Sequence, residues 1–153
     1  MRAVVFYSYS GHTKELVSKI KEKYGYDILE IKPVEAYSDN YDEVVERAVD
    51  DTKNNYQPEI MDLDISKYDE LILGTPVWWY TVASPVNTFL NKYNLKDKTI
   101  IPLVTNGGWL GHTIDDIAEK SGSRIKDAIS LKFDGNKLCE KEKFEKWLKG
   151  LGD

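Results

Sequence analysis

Unbroken apolar runs alternate along the chain with stretches in which apolar residues return every three or four positions. Arg2 to Ser8 carries Ala3, Val4, Val5, Phe6 and Tyr7 in succession, the pattern of a strand covered on both faces. From Gly11 the residues Leu16, Val17, Ile20 and Tyr24 recur at helical spacing as far as Gly25, which predicts an amphipathic helix of about three to four turns with glycine as its stop. A second strand is expected over Tyr26 to Ile31, ended by Lys32-Pro33. A helix follows over Tyr41 to Asn54, with Val44, Val45, Ala48 and Val49 inward. Tyr68 to Gly74 reads as a third strand, its Leu71-Ile72-Leu73 core having no polar face. Pro85 sits at the start of a third helix whose inner stripe is Val86, Phe89, Leu90 and Tyr93. Thr99 to Thr105 is a fourth strand, Ile114, Ile117 and Ala118 mark a short fourth helix, and Ala128 to Phe133 is a fifth strand. The closing helix begins near Glu140, with Phe144, Trp147, Leu148 and Leu151 at i, i+3, i+4 and i+7.

Strands alternating with helices imply right-handed βαβ units and a parallel sheet covered on both faces. The expected architecture is therefore α/β, a three-layer sandwich with a five-stranded parallel sheet. No repeat, low-complexity tract or linker interrupts the pattern, so one domain over residues 1–153 is expected. In such open sheets ligands bind beyond the carboxyl ends of the strands, where the strand order reverses. That directs attention to the loops after the first, third and fourth strands.

Composition narrows the setting. A mean hydropathy of −0.50 gives no case for a membrane span, and the short apolar start after Met1-Arg2 lacks a signal-peptide cleavage site. The single Cys139 has no partner for an internal disulfide and fits a reducing, cytoplasmic setting. With 21 basic and 26 acidic residues the net charge is −5, which speaks against nucleic acid as a partner.

The first loop, Ser8-Tyr9-Ser10-Gly11-His12-Thr13, leads a strand into a helix. Such a turn leaves the first helical N–H groups unpaired, with the positive end of the helix dipole behind them. Ser8, Ser10 and Thr13 add hydroxyls, and Gly11 lets the backbone curl close to an anion. The plainer reading is that Ser10 or Thr13 caps the helix. The loop contains neither Gly-x-x-x-x-Gly-Lys-Ser/Thr nor Gly-x-Gly-x-x-Gly, and has no Cys, Lys or Arg. It suits a terminal phosphate monoester that is held rather than attacked. The second loop, Gly74 to Pro85, carries Trp78, Trp79 and Tyr80 in succession. Adjacent large rings point different ways, so at least one is expected at the surface, where it suits a planar ring or a dimer contact. The third loop, Asn106-Gly107-Gly108-Trp109, pairs glycines with a further aromatic. Together the loops suit a phosphorylated planar heterocycle. No metal-ligand cluster and no catalytic acid or base is read from them, and His112 reads as a helix-start residue.

On these residues the chain resembles the flavodoxin-like family over essentially its whole length. Ser8 to Thr13 is similar to the family's Ser/Thr-x-Thr/Ser-Gly-Asn-Thr phosphate loop, with His12 in place of Asn. Gly74-Thr75-Pro76-Val77-Trp78-Trp79 looks like the Gly-x-Pro-Val/Ile-Trp-Trp loop of one subgroup. The resemblance implies strand order 2-1-3-4-5 and non-covalent FMN. It also implies that Trp78 and Trp79 flank or contact the flavin ring and that Thr75, Pro76 and Val77 give backbone contacts. His12, which departs from the family loop, is read as lying near the phosphate rather than as a free surface histidine, with no catalytic role. Asn106, Gly107 and Gly108 would approach the pyrimidine end, with Trp109 beside them. The function implied is FMN-dependent electron transfer to a redox partner protein or small-molecule acceptor. Small flavodoxins use a second-loop glycine for a peptide flip that favours the semiquinone. Here no glycine lies between Gly74 and Gly107, and side chains tolerate positive φ poorly, which counts against the flip. The alternative it leaves is a flavin-dependent NAD(P)H:quinone-type reductase.

Overall fold

The protein is described by a computed structural model over residues 1–152. In chain order its elements are β1 (Arg2–Phe6), α1 (His12–Tyr24), β2 (Asp27–Glu30), α2 (Tyr41–Lys53), β3 (Glu70–Trp78), β4 (Thr81–Val82) and α3 (Ser84–Lys92). They continue as β5 (Thr99–Asn106), α4 (Thr113–Ser121), β6 (Arg124–Ile125), β7 (Ile129–Asp134), β8 (Lys137–Leu138) and α5 (Lys141–Gly150).

The sheet order is β2-β1-β3-β5-β7-β8, with β4 added on β3 and β6 on β5. Neighbours among β2, β1, β3, β5 and β7 pair in parallel. β4 and β8 instead fold back antiparallel on β3 and β7. The expected five-stranded, wholly parallel sheet is thus an eight-stranded mixed one. β4 and β8 are short because each completes a tight reversal at the end of a longer strand, as where Val77 pairs with Val82 and Phe133 with Leu138, while the two-residue β6 runs parallel to the start of β5.

Alternation along the central strands divides the core in two. Ala3, Val5, Leu71, Leu73 and Ile100 face Val44, Ala48, Val86, Phe89 and Ile117 of α2, α3 and α4. Val4, Phe6, Ile72, Ile101 and Leu103 face Leu16, Val17 and Ile20 of α1, with Phe144 and Leu151 from the closing segment. This is a three-layer arrangement, and it explains why these strands read as continuous apolar runs. Local signals set the helix ends. The Asn40 side chain accepts from the N–H groups of Asp42 and Glu43 at 3.0 and 3.3 Å, starting α2. Gly25 ends α1 at φ +68°, its N–H reaching the Lys21 carbonyl at 2.8 Å. The inward assignment of Val45 is corrected: it is 43% exposed, and Val49 is half-buried. The apolar stripe of α2 is thus wider than the part that meets the core, which is Val44 and Ala48.

At the amino ends of the central strands, Arg2 ties three elements together. Its guanidinium donates to Glu70 Oε1 at 2.9 and 3.1 Å and to the Leu151 carbonyl at 2.7 Å. Burial pushes the Glu70 carboxyl up, but the Arg2 hydrogen bond, with Lys126 at 3.5 Å, holds it below its ordinary value. A lowered folded-state pKa stabilises the fold above the unfolded value of 4.5; the contribution is lost as pH falls through the folded value. Glu70→Gln is expected to cost roughly 1 kcal/mol in urea denaturation at pH 7 and clearly less at pH 3. An equal loss at both pH values would contradict the pairing.

Candidate functional site

Parallel registry brings Phe6, Gly74 and Leu103 level on β1, β3 and β5, so the loops that follow these strands emerge side by side. Between them lies a cleft of about 520 Å³, within the range of small-molecule sites. The first loop contributes Tyr9, Ser10 and His12, the β3 end Pro76, Val77, Trp78 and Trp79, and the β5 end Thr105, Asn106 and Gly107.

In the first loop, Gly11 takes φ +95°, a conformation that favours glycine. Ser8, rather than Ser10 or Thr13, caps α1: its Oγ accepts from the N–H groups of Gly11 and Lys14 at 3.1 and 3.3 Å. Thr13 is buried, its hydroxyl bonded to that of Thr105 at 2.9 Å. Of the three hydroxyls read from the sequence, only that of Ser10 both lines the cleft and remains unengaged. The N–H groups of Ser10, His12 and Thr13 also have no hydrogen-bond partner among the described residues. One end of the cleft is therefore a set of neutral donors at a helix start.

The second loop is largely strand. Thr75, Pro76, Val77 and Trp78 continue β3, and Thr75 and Pro76 extend its ladder to Val104 and Thr105. A Thr75 hydroxyl buried beneath them donates to the Pro76 carbonyl at 2.8 Å. The tryptophans divide as adjacent strand and turn residues must: Trp78 is 9% exposed and Trp79 46%. Trp78 is fenced edge-on by Tyr7, Tyr9 and Tyr37, with centroids at 5.6, 6.3 and 5.1 Å. Burial pushes the Tyr37 phenol up to about 12, against an opposing pull from Arg47, and raises that of Tyr7 further. Both stay protonated at neutral pH, leaving this wall aromatic and uncharged.

Trp79 and Tyr80 form the two-residue turn between β3 and β4, at φ +48° and +68°. This overturns the expectation that side chains here would avoid positive φ. Two left-handed residues suit the twist of a tight hairpin, but without glycine each costs of order 1 kcal/mol or more. The third loop supports them. The His112 N–H donates to the Tyr80 carbonyl at 2.8 Å, while the Thr81 hydroxyl and His112 Nδ1 converge on the same Asp116 carboxylate oxygen. Gly111 packs so closely that a Cβ there would lie 2.3 Å from the Tyr80 carbonyl oxygen. His112 does stand at the start of α4, with its ring engaged by Asp116.

Asn106 shapes the rest of the third loop. Its amide donates to Ser130 Oγ at 2.7 Å and its Oδ1 accepts from the Gly108 N–H at 2.8 Å. Gly107 lines the cleft. Gly108, at φ +131°, and Trp109, 68% exposed, lie outside it. Two further walls went unread in the sequence. One is Tyr41, Val44, Val45 and Ala48 of α2; the other is Phe133, Gly135 and Asn136 of the β7–β8 hairpin. The doubled valine of α2 and the Asp-Gly turn were visible signals, but neither reveals which strand end it faces. Among the described residues no cluster of His, Cys, Asp or Glu is placed to hold a metal, and no helix is long and apolar enough to cross a membrane.

A family model described as flavodoxin matches residues 2–150. The chain belongs to the flavodoxin family. No curated protein sequence matches it. Among solved structures it is similar to a flavoprotein in complex with FMN from Lactobacillus acidophilus NCFM, at 24% identity and TM-score 0.72, over 84% of this chain and 91% of that one. A candidate flavoprotein from Bacteroides eggerthii DSM 20697 matches at 21% identity and TM-score 0.77, over 99% of this chain and 98% of that one. A flavodoxin, WrbA-like protein from Agrobacterium tumefaciens matches at 14% and 0.62, over 97% and 91%. At these identities the likeness establishes the fold.

The clamp on the Trp79–Tyr80 turn is testable within this flavodoxin-family cleft. Gly111→Ala must place a Cβ against Tyr80 backbone and hold φ near +62°, so it should lower stability by about 1–3 kcal/mol and change the near-ultraviolet circular dichroism of the aromatics. Unchanged stability and spectrum would show that the two loops do not bear on each other.

Proposed function

We propose that the cleft binds FMN and that the protein works as an electron-transfer flavoprotein. The observation that carries this reading is the division of one cleft into unengaged neutral donors at the start of α1 and uncharged aromatic walls beside them. FMN has the same division between a phosphate ester and a planar ring. Ser10 and the N–H groups of Ser10, His12 and Thr13 would hold the phosphate. Ser8 and Gly11 would shape that loop, with Tyr9 beside it. Trp78 and Trp79 would flank the ring, with Thr75, Pro76 and Val77 supplying backbone and Asn106, Gly107, Gly108 and Trp109 the third-loop side. The Gly-Thr-Pro-Val-Trp-Trp segment supports a place in the subgroup that carries this motif.

The bound cofactor supplies the redox chemistry; the protein supplies binding, orientation and electrostatics. Trp79 lines the cleft and is 46% exposed, so a ring seated between the loops keeps one edge within reach of a redox partner protein or small-molecule acceptor. The ground for a reductase reading was the missing second-loop glycine, and Trp79 and Tyr80 take positive φ without one. We therefore keep the carrier reading, in a cytoplasmic setting, with neither nucleic acid nor membrane as partner.

Titration of apoprotein with FMN and with riboflavin, followed by flavin fluorescence, tests the assignment. Wild-type protein should bind FMN more tightly than riboflavin. Ser10→Ala should weaken FMN by about tenfold, the effect of one hydrogen bond to a charged group, and leave riboflavin within twofold. Equal losses for both would remove Ser10 from the phosphate site, and wild-type protein that takes up neither flavin would overturn the FMN reading.

A further inference from the structure

The β7–β8 hairpin meets the first loop from the far edge of the sheet. Asp134 pairs with Lys137, leaving Gly135 and Asn136 as the turn, with Gly135 at φ +58°. The base is fixed by the Cys139 N–H on the Lys132 carbonyl at 3.0 Å and by the Glu140 carboxylate, which accepts from the Lys132 N–H at 3.0 Å. From this anchored hairpin two side chains reach His12. The buried Phe133 ring stacks on its imidazole, with centroids 4.3 Å apart and planes within 2°. Asn136 Oδ1 lies 3.1 Å from His12 Nε2. All three residues line the cleft.

We infer that Phe133 and Asn136 are positioning residues for His12, which they hold as a donor to the phosphate ester of the ligand. They make this end of the cleft select phosphorylated over unphosphorylated flavin. The inference rests on the FMN reading above. A histidine at an exposed helix start normally samples several rotamers, and a ligand must order it. Here the stack fixes the ring plane and the amide fixes one nitrogen, so that ordering is paid for during folding rather than on binding. The pair leaves Nδ1 without a partner among the described residues.

An amide suits this task because it offers both an acceptor and a donor. With Asn136 Oδ1 accepting from Nε2–H, the imidazolium form presents Nδ1–H to an anion. With the amide turned so that its NH₂ donates to Nε2, the neutral ring carries its proton on Nδ1 and presents the same donor. These two states offer the phosphate an N–H, whereas a neutral ring protonated on Nε2 would offer it a lone pair. In those two states it would add a fifth donor to the Ser10 hydroxyl and the three free N–H groups, held in place by a hairpin outside the first loop. Phosphate recognition would then be shared between two distant parts of the sequence, His12 and Asn136 lying 124 residues apart.

The full-length apoprotein and its variants His12→Phe, Asn136→Ala and the double variant can be titrated with FMN and with riboflavin. His12→Phe keeps an aromatic stack on Phe133 while removing both ring nitrogens, and Asn136 sits in an exposed turn, so folding should survive and riboflavin binding reports that it has. His12→Phe is expected to weaken FMN by about tenfold or more and to leave riboflavin within twofold. Asn136→Ala should weaken FMN by a smaller factor, about threefold to tenfold. The double variant should be no weaker than His12→Phe alone, because Asn136 acts only through His12. His12→Asn, which restores an amide donor, should recover part of the loss. Equal weakening of both flavins, or a double variant whose losses multiply, would overturn the positioning role while leaving FMN binding intact. Wild-type protein that binds no FMN would instead overturn the reading on which it rests.

Discussion

At Gly74 the first helix lies against the sheet with no room for a side chain. A Cβ there would meet Thr13 Cγ2 at 2.9 Å and Phe6 Cβ at 3.0 Å. That close approach sets the start of α1 directly over the ends of the central strands, where the Thr13 and Thr105 hydroxyls join helix to β5 in a buried bond. Everything in the cleft is placed relative to this contact. The unengaged N–H groups emerge beside Pro76 and Asn106, rather than a strand's width away, because the helix start is pinned to the sheet by two small residues and one hydrogen bond. The Thr13 hydroxyl, the most deeply buried of the first loop, thus contributes by position, and the exposed Ser10 is left for a ligand.

A second constraint works against local preference. Trp79 and Tyr80 occupy left-handed backbone that glycine or asparagine would adopt more cheaply. Bulky residues persist there because β3 and β4 close around them, the His112 N–H holds the Tyr80 carbonyl, and Gly111 yields the space. Strain of this kind survives only where its surroundings over-determine it. The result is one ring packed within a tyrosine fence and another at the rim, so that a flat apolar surface and an open edge occur in a single turn.

The central layers were legible in the sequence because strands buried on both faces leave unmistakable runs, as at Ala3 to Tyr7 and Leu71 to Leu73, and because Gly25 punctuates α1. The phosphate loop was legible as a strand-to-helix turn rich in hydroxyls. What escaped notice depends on contacts between distant segments. Nothing in Ser8-Tyr9-Ser10 says which hydroxyl will cap, since that follows from the φ of Gly11 and the burial of Thr13. The Thr75 to Thr81 segment read as loop because its extra strand pairing lies with Val104, Thr105 and Val82. Val45 read as core because periodicity reports a face of the helix and not how much of that face the core covers. The hairpin carrying Phe133 and Asn136 gave a turn signal but no address.

On the FMN reading, one ligand occupies one cleft built from three strand ends and closed by α2 and the last hairpin. Amide chemical-shift mapping of ¹⁵N-labelled protein on addition of one equivalent of FMN measures this directly. The shifts should concentrate at residues 9–13, 76–79, 105–108 and 133–136, with weaker effects along 41–48. Shifts concentrated instead on the groove beside β2, around Ile28, Leu29 and Met61, or no shifts at all, would contradict it.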